Sequence, residues 1–175
     1  GLESGSERIR REVLKRNYSN RDFLDAVSLG RKYGLSIYTF NMIGLPGESL
    51  KDHLETVSLN RKCQPDRHHT GIFFPYPGTE LHSYCIEQGL LKGPANTRME
   101  RSRAILDLPN FSKAQIQRAY TWFDYRVYRG RKPIWVILIQ VFATMVRCNP
   151  TTNFLFRQIV QLPILRDLRA KLARS

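Results

Sequence analysis

The run Leu35-Ser-Ile-Tyr-Thr-Phe-Asn-Met-Ile-Gly-Leu-Pro-Gly-Glu48 passes from apolar and β-branched residues straight into a turn that no helix tolerates. Leu35 to Ile43 is apolar or β-branched at nearly every position. That pattern predicts a strand covered on both faces, as in a parallel sheet. Downstream, Ser49 to Cys63 reads as a helix with Leu50, Leu54 and Val57 on one face, broken by Pro65-Asp66. Thr70 to Phe74 reads as a second buried strand, stopped by Pro75-Tyr76-Pro77-Gly78, and Thr79 opens a helix to about Gln88 that Gly89 closes. Upstream, Ser6 is placed to cap a helix through about Lys15. Ser19-Asn20-Arg21-Asp22 resembles a capping box. It opens a helix whose face is Phe23, Ala26, Val27 and Gly30 and which ends at Tyr33-Gly34. Strands alternating with helices predict parallel βαβ units and an α/β fold.

The chain has 175 residues, 42% of them hydrophobic and 25% charged. These values exclude a wholly disordered chain and a polytopic membrane protein, and allow one domain with an appendage. Three cysteines exclude a disulfide-dense secreted scaffold and suit a reducing compartment, so a cytoplasmic location is expected. The formal net charge is +13 and is unevenly spread, because residues 126–175 hold ten Lys/Arg and a single acid, Asp167. The first residue is not Met, and no charged segment followed by an apolar one marks a signal peptide. The chain is therefore expected to be the C-terminal piece of a longer protein.

Three regions are expected: residues 1–91 as the α/β body, 92–110 as a connector carrying Gly93, Pro94 and Pro109, and 111–175 as a basic helical region. In the last, Ile116, Tyr120, Phe123 and Val127 form one helical stripe. Ile134 to Val146 is mostly apolar but falls short of the about 20 residues that span a bilayer. Pro150 and Pro163 divide the rest into short helices. Three roles suit this tail. It packs on the body, lies on an anionic membrane surface, or contacts RNA phosphates. Its mixture of Trp135, Phe142, Phe154 and Phe156 with Lys/Arg favours a membrane, at the inner face, over nucleic acid.

Gly1-Leu-Glu-Ser-Gly-Ser6, Ile43-Gly-Leu-Pro-Gly-Glu48 and Pro75-Tyr-Pro-Gly-Thr79 lie at or just beyond predicted strand ends. In parallel α/β folds those ends and their loops form the binding face. Glycines there admit close backbone approach, and the helix N-termini that follow offer free N–H groups to an anion. A carboxylate, a hydroxyl and Gly-rich turns suit a ligand with a ribose and a charged tail.

In order and spacing these segments, with Leu14-Lys-Arg16-Asn-Tyr18-Ser19, Gly34-Leu-Ser-Ile37 and the extension Glu80-Leu81, resemble the second half of the radical S-adenosylmethionine (SAM) core. The likeness covers residues 1–90 and is strongest to enzymes that also carry a cobalamin-binding domain. It implies strands four to six of a partial (βα)6 TIM-like barrel followed by a helical C-terminal region. It also implies that Glu3, Ser4 and Ser6 sit near SAM at the end of the fourth strand and that Arg16 pairs with the SAM carboxylate. Met42, Ile43 and Gly44 would pass the adenine, and Pro75 and Tyr76 would lie toward a small-molecule substrate.

The complete enzyme would cleave SAM reductively with a 4Fe–4S cluster, give a 5′-deoxyadenosyl radical, and in the likened subfamily use cobalamin. Clusters need thiolate ligands. Cys63, Cys85 and Cys148 are far apart, and no Cys-x3-Cys-x2-Cys occurs. The cluster ligands and any cobalamin domain are therefore expected in the missing N-terminal part of the same protein, and this chain alone is expected to be inactive. No catalytic residue and no metal ligand is assigned here. His82 and Cys85, three apart on one helix, lack a second pair. His68-His69 reads as incidental before a strand, and Asp52 and Glu55 as a solvated helix face. The rival readings are a methylthiotransferase-like radical SAM protein acting on tRNA, whose tail would be a small β-barrel, and a non-catalytic basic module that binds a membrane surface or RNA.

Overall fold

The computed structural model describes residues 1–91 and 100–149 together with Thr152 and Phe154. The predicted breaks at Pro150 and Pro163, Phe156, and the connector residues Gly93 and Pro94 lie outside the described residues. The element order is α1 (Glu7–Glu12), α2 (Asn20–Lys32), β1 (Tyr38–Ile43), α3 (Leu50–Cys63), β2 (Arg67–Ile72), α4 (Glu80–Glu87), α5 (Lys113–Thr121), α6 (Phe123–Tyr128) and α7 (Ile134–Cys148). β1 and β2 pair in parallel, with Asn41 opposite Thr70 and Ile43 opposite Ile72. Glu3 forms an isolated parallel bridge to Asn41, which sets this short strand end beside β1. The fold is mixed α/β, with the strand end, β1 and β2 adjacent in chain order. Among the described residues no helix is long and apolar enough to cross a membrane.

Local chemistry sets the helix starts. Ser19 with Asp22, Ser49 with Asp52 and Ser112 with Gln115 each form a reciprocal capping box, which satisfies donors that the first helical turn leaves free. Ser6 stands at the N-cap of α1 but makes no capping bond, and the helix ends at Glu12, short of Lys15.

Three expectations about the strands and α3 are corrected. β1 is not covered on both faces. Thr39, Asn41 and Ile43 are buried, whereas Tyr38 and Phe40 are about half exposed, because the described helices cover one side only. β2 starts at Arg67, so His68 and His69 lie within the strand and not before it. α3 does not bury a Leu50–Leu54–Val57 face either: Leu54 is exposed, and the inward positions include Asp52, His53, Thr56 and Asn60. Asp52, Thr56 and Asn60 bond to the strand end and β1, while the His53 ring packs against Phe111 and Phe123, a pattern that apolar periodicity does not detect.

Beyond the connector the predicted stripe holds. Ile116, Phe123 and Val127 are buried, and they share one core with Ile43, Ile72, Ile137 and Val141. α7 presents Ile137, Val141 and Thr144 to this core, and leaves Trp135, Leu138, Ile139, Phe142 and Met145 exposed on its other side.

Candidate functional site

The three loops singled out in the sequence follow the C-terminal ends of neighbouring parallel strands. Glu3 N–H donates to the Phe40 carbonyl (2.7 Å) and Met42 N–H to the Glu3 carbonyl (2.8 Å), and Phe73 N–H donates to the Ile43 carbonyl (2.8 Å). Glu3, Met42, Ile43 and the approach to Pro75 are thereby drawn onto one rim.

Arg16 comes back to this rim through the turn after α1. Its guanidinium lies 3.6 Å from the Glu3 carboxylate; the Arg16 side chain is half exposed and that of Glu3 is mostly covered. The turn is held by Arg10, fully buried, which donates to the Ser4 carbonyl (2.5 Å) and the Tyr18 carbonyl (3.1 Å) and lies against the Tyr18 ring at 4.6 Å. The Tyr18 hydroxyl in turn donates to the carbonyls of Gly1 (2.9 Å) and Leu2 (3.0 Å). Arg10 and Tyr18 thus position the Glu3–Arg16 pair, and no motif reading picked out Arg10.

Ser4 and Ser6 point elsewhere. Both are buried; the Ser4 hydroxyl meets Thr56 Oγ1 (3.4 Å) and the Ser6 hydroxyl donates to Asp52 Oδ1 (2.6 Å). Gly5 N–H donates to Thr56 Oγ1 (2.8 Å), and a Cβ on Gly5 would stand 2.5 Å from the Glu55 carbonyl oxygen and from Thr56 Cα. The side chains of these residues lock the strand end to α3. Asp52 is no solvated carboxylate. Its other oxygen accepts from Ser49 N–H (2.9 Å), the Ser49 hydroxyl (2.6 Å) and Arg8 (2.8 Å). Burial opposes its ionisation, but the bonds from Ser49, Ser6 and Arg8 outweigh it and hold the carboxyl at about 2.

The loop after β1 closes on itself. Gly44 adopts φ of +81°, a conformation that favours glycine, with Ile116 packed beneath it. Glu48 is buried, and one of its oxygens accepts from Gly44 N–H (2.5 Å) and Leu45 N–H (3.0 Å). Burial pushes its carboxyl up to about 8, against the pull of those two N–H groups. Asp52 and Ser49 similarly use one another's N–H groups, and Leu50 N–H donates to the Asn110 carbonyl. The N–H groups of Ser49, Leu50 and Asp52 at this helix start are therefore spent on the protein's own carboxyl, carbonyl and hydroxyl oxygens. The Ser49-x-x-Asp52 spacing was the available signal for Asp52.

Past β2, Pro75 is buried and Tyr76 partly exposed. The Tyr76 hydroxyl donates to Glu100 (3.0 Å) and accepts from Arg101 (3.3 Å). His68 is engaged: its Nε2 lies 3.1 Å from Asp124 Oδ1 and its Nδ1 2.9 Å from the Thr70 hydroxyl, and its ring stacks on Tyr128. A carboxylate only accepts, so Nε2 carries a proton. His68, His69 and Thr70 line a cavity of about 370 Å³ together with Asp124 and Arg147, on the helix side of β2 and apart from the Glu3–Arg16 rim.

The cysteines do not suit a cluster. Burial pushes the thiols of Cys63 and Cys85 up to about 11, away from the thiolate form. Among the described residues no group of three His, Cys, Asp or Glu is placed to hold a metal. The rim does suit an α-amino acid. Its carboxylate matches the Arg16 guanidinium, and its ammonium matches Glu3.

No protein-family model matches the chain. It is 30% identical over 130 residues to an uncharacterized methyltransferase of Pyrococcus horikoshii, covering 72% of this chain and 28% of that protein. It is 31% identical to the tRNA-2-methylthio-N(6)-dimethylallyladenosine synthases of a Sulfurihydrogenibium species (64% of this chain, 24% of the relative) and of Moorella thermoacetica (62% and 24%). The chain thus spans about a quarter of the length of these curated relatives. The similarities support a radical-SAM-related enzyme family and do not single out its cobalamin-using members.

Proposed function

We propose that the chain is the C-terminal part of a radical SAM enzyme and supplies one side of its SAM site. The observation that carries this reading is the meeting of Glu3 and Arg16, 3.6 Å apart, at the end of a parallel strand. Arg16 is the carboxylate partner of the methionine end of SAM, and Glu3 the partner of its ammonium. Met42 and Gly44 border the same rim, and Ser4, Gly5 and Ser6 hold it rigid from behind. When bound, SAM supplies a sulfonium whose carbon–sulfur bond breaks on one-electron reduction; this chain's part is to bind and orient the amino-acid end. The strand end, β1 and β2 are strands four to six of a partial barrel. The 4Fe–4S ligands belong to the rest of the protein. Cobalamin use rests on the sequence resemblance alone.

The printed names of two relatives favour a second reading, a methylthiotransferase acting on tRNA. The three consecutive helices α5–α7 after the connector favour the first, because that rival would carry a β-barrel there.

Titration calorimetry of SAM into the full-length protein tests the site without any turnover. Arg16→Ala is expected to weaken binding by about tenfold or more, as loss of a charge-assisted pair does. Arg16→Lys should recover part of the loss. An unchanged dissociation constant in Arg16→Ala removes the residue from the site.

A further inference from the structure

α7 is apolar on two sides, and the core accounts for one. Ile137 and Val141 face inward and are buried. Trp135, Leu138, Ile139, Phe142 and Met145 recur at helical spacing on the other side, with Trp135, Ile139 and Phe142 each at least 60% exposed. A helix on the surface of a protein in water ordinarily turns charged or polar residues outward, and a contiguous apolar patch marks a contact. The charges around it say with what. Arg129 and Arg131 are exposed just before α7 and Arg147 near its end, while residues 125–166 contain seven Lys/Arg and no acid. At 15 residues the helix is about 22 Å long, short of the about 30 Å of a hydrocarbon core.

We propose that α7 lies in the surface of an anionic membrane. Trp135, Ile139 and Phe142 enter the boundary between headgroups and acyl chains, and Arg129 and Arg131 meet anionic headgroups. The inner face, bound through Ile137 and Val141 to the core with α5 and α6, keeps the strand-end rim attached to that surface. A substrate dissolved in or presented at a bilayer is the class such an attachment suits.

The test is vesicle flotation of the full-length protein at about 0.15 M salt, with phosphatidylcholine alone and with about one third phosphatidylglycerol. The protein is expected to float with the anionic vesicles and to remain behind with the neutral ones. Ile139→Asp and Phe142→Asp replace exposed side chains, so thermal unfolding should be unchanged while flotation falls about tenfold or more. Tryptophan quenching by brominated lipid should be present in the parent and reduced in Trp135→Phe. The proposal is overturned by absence from the anionic vesicles, by flotation that both aspartate variants leave intact, or by quenching that Trp135→Phe leaves unchanged. A dimer in sedimentation that the aspartate variants dissolve would assign the stripe to a second copy and likewise overturn it. None of these outcomes bears on Arg16, which α7 does not touch.

Discussion

Where the strand end meets α3, Ser4, Gly5 and Ser6 reach Thr56 and Asp52 through hydrogen bonds, and Asn60 extends the same contact by donating to Asn41 Oδ1 (2.8 Å) and accepting from the Thr39 hydroxyl (3.0 Å). Where α5, α6 and α7 meet, the buried side chains are Ile116, Phe123, Val127, Ile137 and Val141, which offer shape and apolar area alone. The two seams are held differently. Apolar packing is non-directional and repacks at moderate cost. A buried hydrogen-bonded seam fixes a register, because each partner left unpaired costs its desolvation. The polar seam sits behind the Glu3–Arg16 rim, where position matters most. The apolar seam carries α7, where only attachment is needed.

Truncating the apolar seam should cost most in stability. Phe123→Ala removes a fully buried ring packed edge-on to His68, and is expected to lower unfolding free energy by about 4 kcal/mol in urea denaturation. SAM affinity, corrected for the folded fraction, should not change. A loss of affinity in the folded protein would break the division between the seams.

Gly5→Ala comes next, at about 3 kcal/mol, since its Cβ would meet α3 backbone, which cannot step aside as a flexible side chain can. It should weaken SAM binding as well. A variant as stable as the parent would mean that the strand end is not pressed on α3.

The smallest effects concern two carboxyls and have opposite signs. Asp52 has its carboxyl depressed to about 2, so its stabilisation, about 2 kcal/mol, is present above the ordinary carboxyl range and is lost as pH falls through that value. Glu48 has its carboxyl raised from 4.5 to about 8, so stability is full below 4.5 and declines as pH rises toward 8. Denaturant midpoints across pH should show Asp52→Asn flattening the acid limb and Glu48→Gln flattening the decline between pH 4.5 and about 8. A decline that keeps its slope in Glu48→Gln would place the titration elsewhere.

The amino-acid order alone determined the alternation of strands and helices, the Ser19 cap, the stripe Ile116–Tyr120–Phe123–Val127 and the three loops beyond the strand ends. Each is written in local spacing: the helical period, a capping box, or a Gly/Pro turn. Tertiary structure decided what those positions face. That Ser4 turns to Thr56, that Ser6 and Arg8 reach Asp52 and that His68 pairs with Asp124 all depend on partners 44 to 56 residues away. A hydroxyl or a carboxylate looks the same in sequence whether it meets water, a ligand or another chain segment. Only the packing of the elements says which one is within hydrogen-bonding distance.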